Sequence, residues 1–396
     1  MKAVFSRLKK LYKWEYFWLV LIVVTTLALH FAIIANPTEL ILDEAHYITE
    51  ARGISENQTV KFQEHPPLGK LFIYAGIKIF GDKPLGWRFF SILLGTGCII
   101  FFYFICRQLN LSHRASSIAT FLLAFENMTF IQNSVAMLDV FYVFFMLGAF
   151  LLYLLRRYFA AGVAMGLTVL AKLNGALAMP VLVIHWFASK VHRSRWFAMT
   201  IVLAIIVFVV LLPLLEYIIY QDFSKVPDPF HRIKTMLSLT GSITFENSTH
   251  ESASRPWFWV INYKVMPYWW VPHYLSAISP PIWALIIPAF GYMIYKAIKR
   301  DEAGLFGSAW FASTYLIWIP MSLLTDRMSY VFYFYPTIGA ICLGVGMGMS
   351  QLIDIFQGGR SRKLRWTLLG IVILIFLAHI VSFMILYPLF PIKLYK

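Results

Sequence analysis

Uninterrupted apolar stretches of about twenty residues, the length a helix needs to cross a bilayer, recur along almost the whole chain. They lie near 14–35, 87–106, 115–131, 138–155, 159–172, 174–189, 197–220, 276–297, 304–324, 331–352 and 367–387. A chain patterned this way has too little polar surface left to cover one water-soluble core. Of its 396 residues, 60% are hydrophobic and 13% charged, where soluble domains run near 45–50% and about 25%. The expectation is an all-α integral membrane protein, a single multi-span domain over 1–396 with about eleven transmembrane helices. The runs at 159–172 and 174–189 are the shortest pair, joined by Lys172-Leu173-Asn174-Gly175.

The net charge of +15 would suggest nucleic acid as a partner of a soluble chain. Here topology accounts for it. With the amino terminus on the cytoplasmic side, the segments assigned inside hold nineteen Lys/Arg against four acids, and each short inner loop is positive, as orientation in membranes requires. The first run follows Lys2, Arg7, Lys9, Lys10 and Lys13 and is too long for a cleaved signal core. Two long segments, about 37–86 and 221–275, then fall outside, with interfacial helices expected in the first. Chemistry is expected on that outer face. Cys98, Cys106 and Cys342 all sit in apolar runs, which leaves no disulfide framework and no cysteine metal site.

The first outer segment carries Asp43-Glu44 a few residues beyond the first run, at headgroup height, where a carboxylate with one desolvated side has a route to a perturbed pKa. A helix over 43–54 would set Asp43, His46, Tyr47 and Glu50 near one face. Pro66-Pro67 suits the start of a second helix, whose Leu68, Leu71, Phe72, Ala75 and Ile79 make an apolar stripe for the interface. Arg88 opens the second run, either as a snorkelling anchor or as a fork-shaped donor to a lipid phosphate. His65 has no second histidine at metal-ligand spacing.

The series Asp43-Glu44-x-His46-Tyr47, His65-Pro66-Pro67-Leu68-Gly69-Lys70-Leu71, Phe80-Gly81 and Gly86-Trp87-Arg88 resembles the first loop of the dolichyl-phosphate-mannose–protein mannosyltransferases, integral-membrane glycosyltransferases of the GT-C class. Further similarities follow in order. Gly162–Leu177 is similar to the family's Gly-Leu…Thr-Lys-Trp-x-Gly segment, with Ala171-Lys172-Leu173 replacing Thr-Lys-Trp. His250–Trp259 resembles its His-x-x-x-Ser-x-x-x-x-Trp stretch, and Arg327–Pro336 its Arg…Tyr-Tyr-x-x-Pro opening of a late span. The resemblance is colinear over about 43–336. A sister family transfers aminoarabinose from a polyprenyl phosphate to lipid A and has Lys-Pro-Pro where this chain has His65-Pro66-Pro67. Residues 221–275 are too few for the soluble trefoil-type repeats of eukaryotic members, so the likeness is to the compact prokaryotic form.

The resemblance implies a polyprenyl-phosphate-linked mannose as donor, a Ser or Thr hydroxyl of a protein as acceptor, and one inverting displacement. A glycolipid acceptor remains the alternative, and a transporter or flippase the rival from another class, although no internal repeat supports it. Asp43 is the expected base, with Glu44 beside it; Arg88, Lys172 and Arg327 are expected at the donor phosphate, and His46, His65, Asp139 and His250 around the substrates. Each has a plainer reading. Asp139 suits the first turn of a helix, Lys172 can snorkel, Arg327 can pair with Asp326, and His250 can simply be exposed. An activated phosphate leaving group needs no metal, and no spacing argues for one. Asn57, Asn127 and Asn247 head N-glycosylation patterns assigned outside, and Asn110 heads one assigned inside.

Overall fold

The computed structural model describes residues 14–55, 63–358 and 361–388. The basic residues of 1–13 and the pattern headed by Asn57 lie outside them. The long apolar runs become helices because a backbone without water must satisfy its own polar groups. In chain order these are α1 (Phe17–Ile33), α2 (Glu44–Ser55), α3 (Leu68–Phe80), α4 (Pro84–Gln108), α5 (His113–Ala124), α6 (Asn127–Ser134), α7 (Leu138–Leu154), α8 (Tyr158–Ala171), α9 (Ala178–Ala188) and α10 (Phe197–Tyr220). After α11 (Pro229–Gly241) come strands β1 (Val265–Trp270) and β2 (His273–Ala277), then α12 (Ile286–Ile298), α13 (Glu302–Phe311), α14 (Trp318–Thr325), α15 (Tyr335–Gly358) and α16 (Arg362–Leu386). Polar residues mark several starts. Ser112 accepts from the Ala115 N–H, Asp228 from those of Phe230 and His231, and Asp301 from that of Gly304, each meeting donors a helix leaves open.

The protein is a multi-pass membrane protein, mostly helical. On length and composition α4, α10, α16 and the segment Val331–Gly358 can each cross a membrane, and α6 with α7 adds a fifth if that bent pair is one span. Phe17–Ile33, Tyr158–Ala171, Leu173–Ala188 and Ile286–Ile298 are apolar but shorter. Among the described residues the helices therefore do not resolve into eleven full-length crossings. The rim is apolar and open: Val210, Leu214, Leu374 and Leu377 are each about half exposed or more, a surface suited to lipid. The centre is α15, α4 and α7, whose side chains form about a third of one continuous core.

Close helix approach is built on small residues. Gly162 and Gly166, four apart on α8, face α10: a Cβ at Gly166 would lie 2.7 Å from the Val207 side chain and 2.9 Å from the Ala204 carbonyl. This small-xxx-small seam lets two backbones meet without lipid between them. Gly166→Val is expected to cost about 1–3 kcal/mol through overpacking, read as a lower melting temperature in detergent.

Three expected spans are interrupted. The run at 115–131 breaks after Ala124. There the Glu126 carboxylate accepts from Thr129 N–H (2.7 Å) and Ser279 N–H (2.7 Å), while the Asn127 amide donates to the Leu275 and Ala277 carbonyls. Asn127 is thereby buried in the fold, so its N-glycosylation pattern is not presented at a surface. The next helix leaves α6 at 111°. The run at 276–297 begins instead as β2, and α12 starts only at Ile286. The run at 304–324 divides at a π-turn, Ala312–Leu316, between α13 and α14. The antiparallel pair β1–β2 is a departure from the all-helical expectation, confined to the second long segment, with a register shift between Pro267 and Trp269.

Candidate active site

Asp43 and Glu44 are adjacent, yet the start of α2 sends them into different surroundings. Glu44 is fully buried and ion-paired with Arg88, itself fully buried (Oε2–Nη2 2.8 Å). Every N–H of the Arg88 guanidinium is used. Nε and Nη2 reach both Glu44 oxygens, Nη1 donates to the Ile34 (3.1 Å) and Pro37 (2.8 Å) carbonyls, and Nη2 also donates to the Glu39 carbonyl (3.3 Å). Glu44 in turn accepts from Ile41 N–H (3.2 Å) and from Ala136 N–H (2.8 Å), within the bend between α6 and α7. A guanidinium offers five donors, and here none is left for a phosphate. Arg88 at the donor phosphate and Glu44 in the chemistry are therefore corrected: the two form a closed clamp joining the turn after α1, α2, α4 and the bend before Asp139.

Asp43 lies on the other side of that turn, half-buried. Its carbonyl accepts from the His46 and Tyr47 N–H groups (3.0 and 3.1 Å) and so opens α2. Opposite it, Lys172 at the end of α8 is paired with Asp139 in the first turn of α7 (Nζ–Oδ2 2.7 Å), both nearly inaccessible. The Lys172 ammonium lies 5.7 Å from the Phe332 ring centre and 5.9 Å from that of Tyr333, adding a cation–π contribution. The second Asp139 oxygen and His65 Nδ1 are buried without a hydrogen-bond partner among the described residues. Buried polar atoms in that condition call for a ligand or water.

The His65 loop is held from below by the second long segment. Arg232 on α11, paired with Glu216 (2.7 Å), donates to the Gln63 (2.6 Å) and His65 (3.2 Å) carbonyls, and Thr240 donates to that of Glu64 (3.2 Å). The Tyr47 and His65 rings sit 6.2 Å apart. Arg327 is bridged by its backbone to Thr244. Its neighbour Asp326 does not take it as a partner; Asp326 pairs with Arg255. That leaves Arg327 half-buried with no carboxylate partner among the described residues. His250 packs edge-on against Tyr330 (5.3 Å), and His46 is exposed.

Electrostatics tie these groups together. Burial pushes the Asp43 carboxyl above its ordinary range and Asp139 adds to this, while Lys172, His46 and His250 pull it back. His65 is held well below the ordinary imidazole value by burial, then by Lys172, Lys70, Arg327 and Arg232, so it stays neutral near pH 7. The Tyr47 phenol is raised by burial and by Asp43 and Asp139. The arrangement is a half-buried carboxylate beside two cations, a neutral imidazole and a phenol, at one end of a helical bundle. It can take a proton on one side and stabilise an anion on the other.

Residues 82–224 match the sequence pattern of the dolichyl-phosphate-mannose-protein mannosyltransferase family. The polyprenol-phosphate-mannose–protein mannosyltransferase of Mycolicibacterium smegmatis is 32% identical over 144 residues, 34% of this chain and 28% of that protein; its Mycobacterium tuberculosis counterpart is 33% identical over the same length. The likeness is confined to about a third of this chain. It covers less than a third of the length of these relatives. Among solved structures, the Saccharomyces cerevisiae Pmt1–Pmt2 complex bound to its sugar donor superposes with a TM-score of 0.76 at 13% identity, over 94% of this chain and 90% of that one. ArnT of Cupriavidus metallidurans bound to undecaprenyl phosphate gives 0.63 at 17% identity, over 94% and 77%. These two likenesses concern the fold.

The structure thus brings Asp43, His46, His65, Asp139, Lys172, Arg327 and His250 to one end of the bundle and removes Glu44 and Arg88 from it. Sequence reasoning gave no role to Tyr47, Tyr333 or Arg232. Tyr47 and Tyr333 lay inside quoted motifs. Arg232 had no signal, since the Gln63 and His65 carbonyls that it holds are 169 and 167 residues away along the chain and only the folded loop brings them near.

Proposed function

We propose that the protein transfers mannose from a polyprenyl-phosphate donor to a Ser or Thr hydroxyl of a protein acceptor, at the outer face of a membrane. The observation that carries this reading is the meeting of Asp43, the Lys172–Asp139 pair and Arg327, which has no carboxylate partner among the described residues, at one end of a bundle with the protein mannosyltransferase fold. Asp43 takes the acceptor proton as the hydroxyl oxygen attacks the anomeric carbon. The bond from that carbon to the phosphate oxygen breaks, inverting the centre, and the prenyl phosphate leaves with the electron pair. A carboxylate whose pKa is raised above its ordinary range by burial is a stronger base, which general-base catalysis favours. Arg327 meets the leaving phosphate with two or more N–H groups. Lys172, fixed by Asp139, supplies a second positive charge where negative charge develops. Neutral His65 and the Tyr47 hydroxyl orient sugar hydroxyls.

The excess of Lys/Arg on the opposite loops supports a cytoplasmic amino terminus and an outward site. Segments 37–86 and 221–275 are then the outer segments, joined where Arg232 holds the His65 loop. Arg327→Ala is expected to raise the donor KM by about tenfold to a hundredfold, the loss of a charge-assisted contact of ~1.5–3 kcal/mol, with the melting temperature unmoved. The reading is tested by incubating purified protein with several prenyl-phosphate sugars, an acceptor peptide and a lipid A-type glycolipid, followed by mass spectrometry. A hexose gained by the peptide supports it; a sugar gained by the glycolipid alone, or by neither, overturns it.

A further inference from the structure

At the end of α7 opposite Asp139, three side chains converge that the proposed transfer does not use. His185 lies in the last turn of α9, His192 in the turn that follows it, and Glu302 opens α13; one ligand atom from each lies within 4.8 Å of the others. His185 Nε2 is 3.1 Å and His192 Nδ1 3.4 Å from the same Glu302 oxygen. The His185 side chain is inaccessible, that of His192 7% exposed and that of Glu302 14%, so only the carboxylate opens to water. We propose that these residues form a binding site for a divalent transition-metal ion such as Zn²⁺, which fastens α9 and its following turn to α13.

The hydrogen-bond pattern argues for it. His192 Nε2 lies 3.2 Å from the Leu154 carbonyl. A carbonyl can only accept, so Nε2 carries the proton and Nδ1 of the neutral ring presents its lone pair to the carboxylate. Ser189 does not relieve this: its hydroxyl donates to Glu302 (2.8 Å) and accepts from the His192 backbone N–H (3.0 Å). On His185, Nδ1 meets the Tyr153 hydroxyl (3.1 Å), while Nε2 is buried with no aligned hydrogen-bond partner among the described residues. With the Tyr153 hydroxyl accepting from Nδ1, His185 Nε2 joins His192 Nδ1 in presenting a lone pair beside the Glu302 carboxylate, an arrangement that a cation between them satisfies.

The outer nitrogens are held as metal-bound histidines usually are, by a carbonyl that fixes the His192 tautomer and a hydroxyl that orients the His185 ring. Spacing agrees as well. Ligand bonds of about 2.0–2.1 Å at tetrahedral angles place neighbouring donor atoms about 3.3–3.4 Å apart, close to the two distances found. Two histidines and one carboxylate leave a fourth position for water on the side where Glu302 is exposed.

The test uses the whole chain in detergent, purified on a tag without histidine, incubated with zinc and freed of excess. About one zinc per chain by elemental analysis is expected, and about one Co²⁺ per chain with the visible bands of a four-coordinate ion. Chelation should lower the melting temperature of the wild type. Glu302→Gln and His192→Ala should lose metal, and chelation should then leave their melting temperatures unmoved. Wild-type protein without stoichiometric zinc and indifferent to chelation would mean that a proton on His192 holds the cluster, and would overturn the site. Metal retained by both variants would also overturn it.

Discussion

Asp43→Asn is expected to lower turnover with polyprenyl-phosphate mannose by at least about 100-fold and to leave the fold intact. The amide keeps the shape of the carboxylate, and the contacts Asp43 makes to open α2 come from its backbone carbonyl, which the change does not touch. The lost quantity is the proton acceptor. A pH profile separates this from a loss of binding. The base works only when ionised, and burial holds its pKa above the ordinary carboxylate range. Wild-type kcat/KM should therefore fall on acidification at a pH above the ~3.9 of a free aspartate, while the residual activity of Asp43→Asn should show no such fall. Transfer at the wild-type rate, or an unchanged acid limb in the variant, would remove Asp43 as the base.

Asp43 drew attention in the sequence because an acid just past a membrane span has one desolvated side and because its motif resembles the mannosyltransferases' first loop. That Glu44 is closed off in an ion pair with Arg88 was not legible. A sequence states adjacency, whereas the helix starting at Glu44 turns one carboxylate into the bundle and leaves the other at the cleft. Arg88 was misread for a related reason: an arginine at headgroup height fits a phosphate, and nothing local reports that the carbonyls of Ile34, Pro37 and Glu39 curl back onto it. The membrane class and most helices followed from hydropathy alone. The broken spans did not, because Phe125-Glu126 and Ala312–Leu316 interrupt the backbone without interrupting the apolar pattern enough to be seen. Convergence over long separations, as with His185, His192 and Glu302, leaves no local trace.

Arg88→Ala should be the most disruptive single change outside the cleft, and its signature distinguishes a clamp from a phosphate ligand. Removing one partner of a buried pair costs roughly 3–5 kcal/mol, mostly because the other charge stays buried without compensation. Here the three carbonyls also lose their donor, at about 1–3 kcal/mol for each buried group left unsatisfied. The variant is expected to melt far below wild type or to fail to accumulate in membranes. Arg88→Lys should rescue little, since an ammonium has three donors where the guanidinium uses five. The double change Glu44→Leu with Arg88→Met removes both charges and should recover part of the loss, while the Ile41 and Ala136 N–H groups stay unmet. A stable Arg88→Ala protein with only a raised donor KM would return Arg88 to the phosphate. The clamp predicts the reverse order, stability first, because Glu44 holds the bend at Ala136 and that bend aims Asp139 at Lys172.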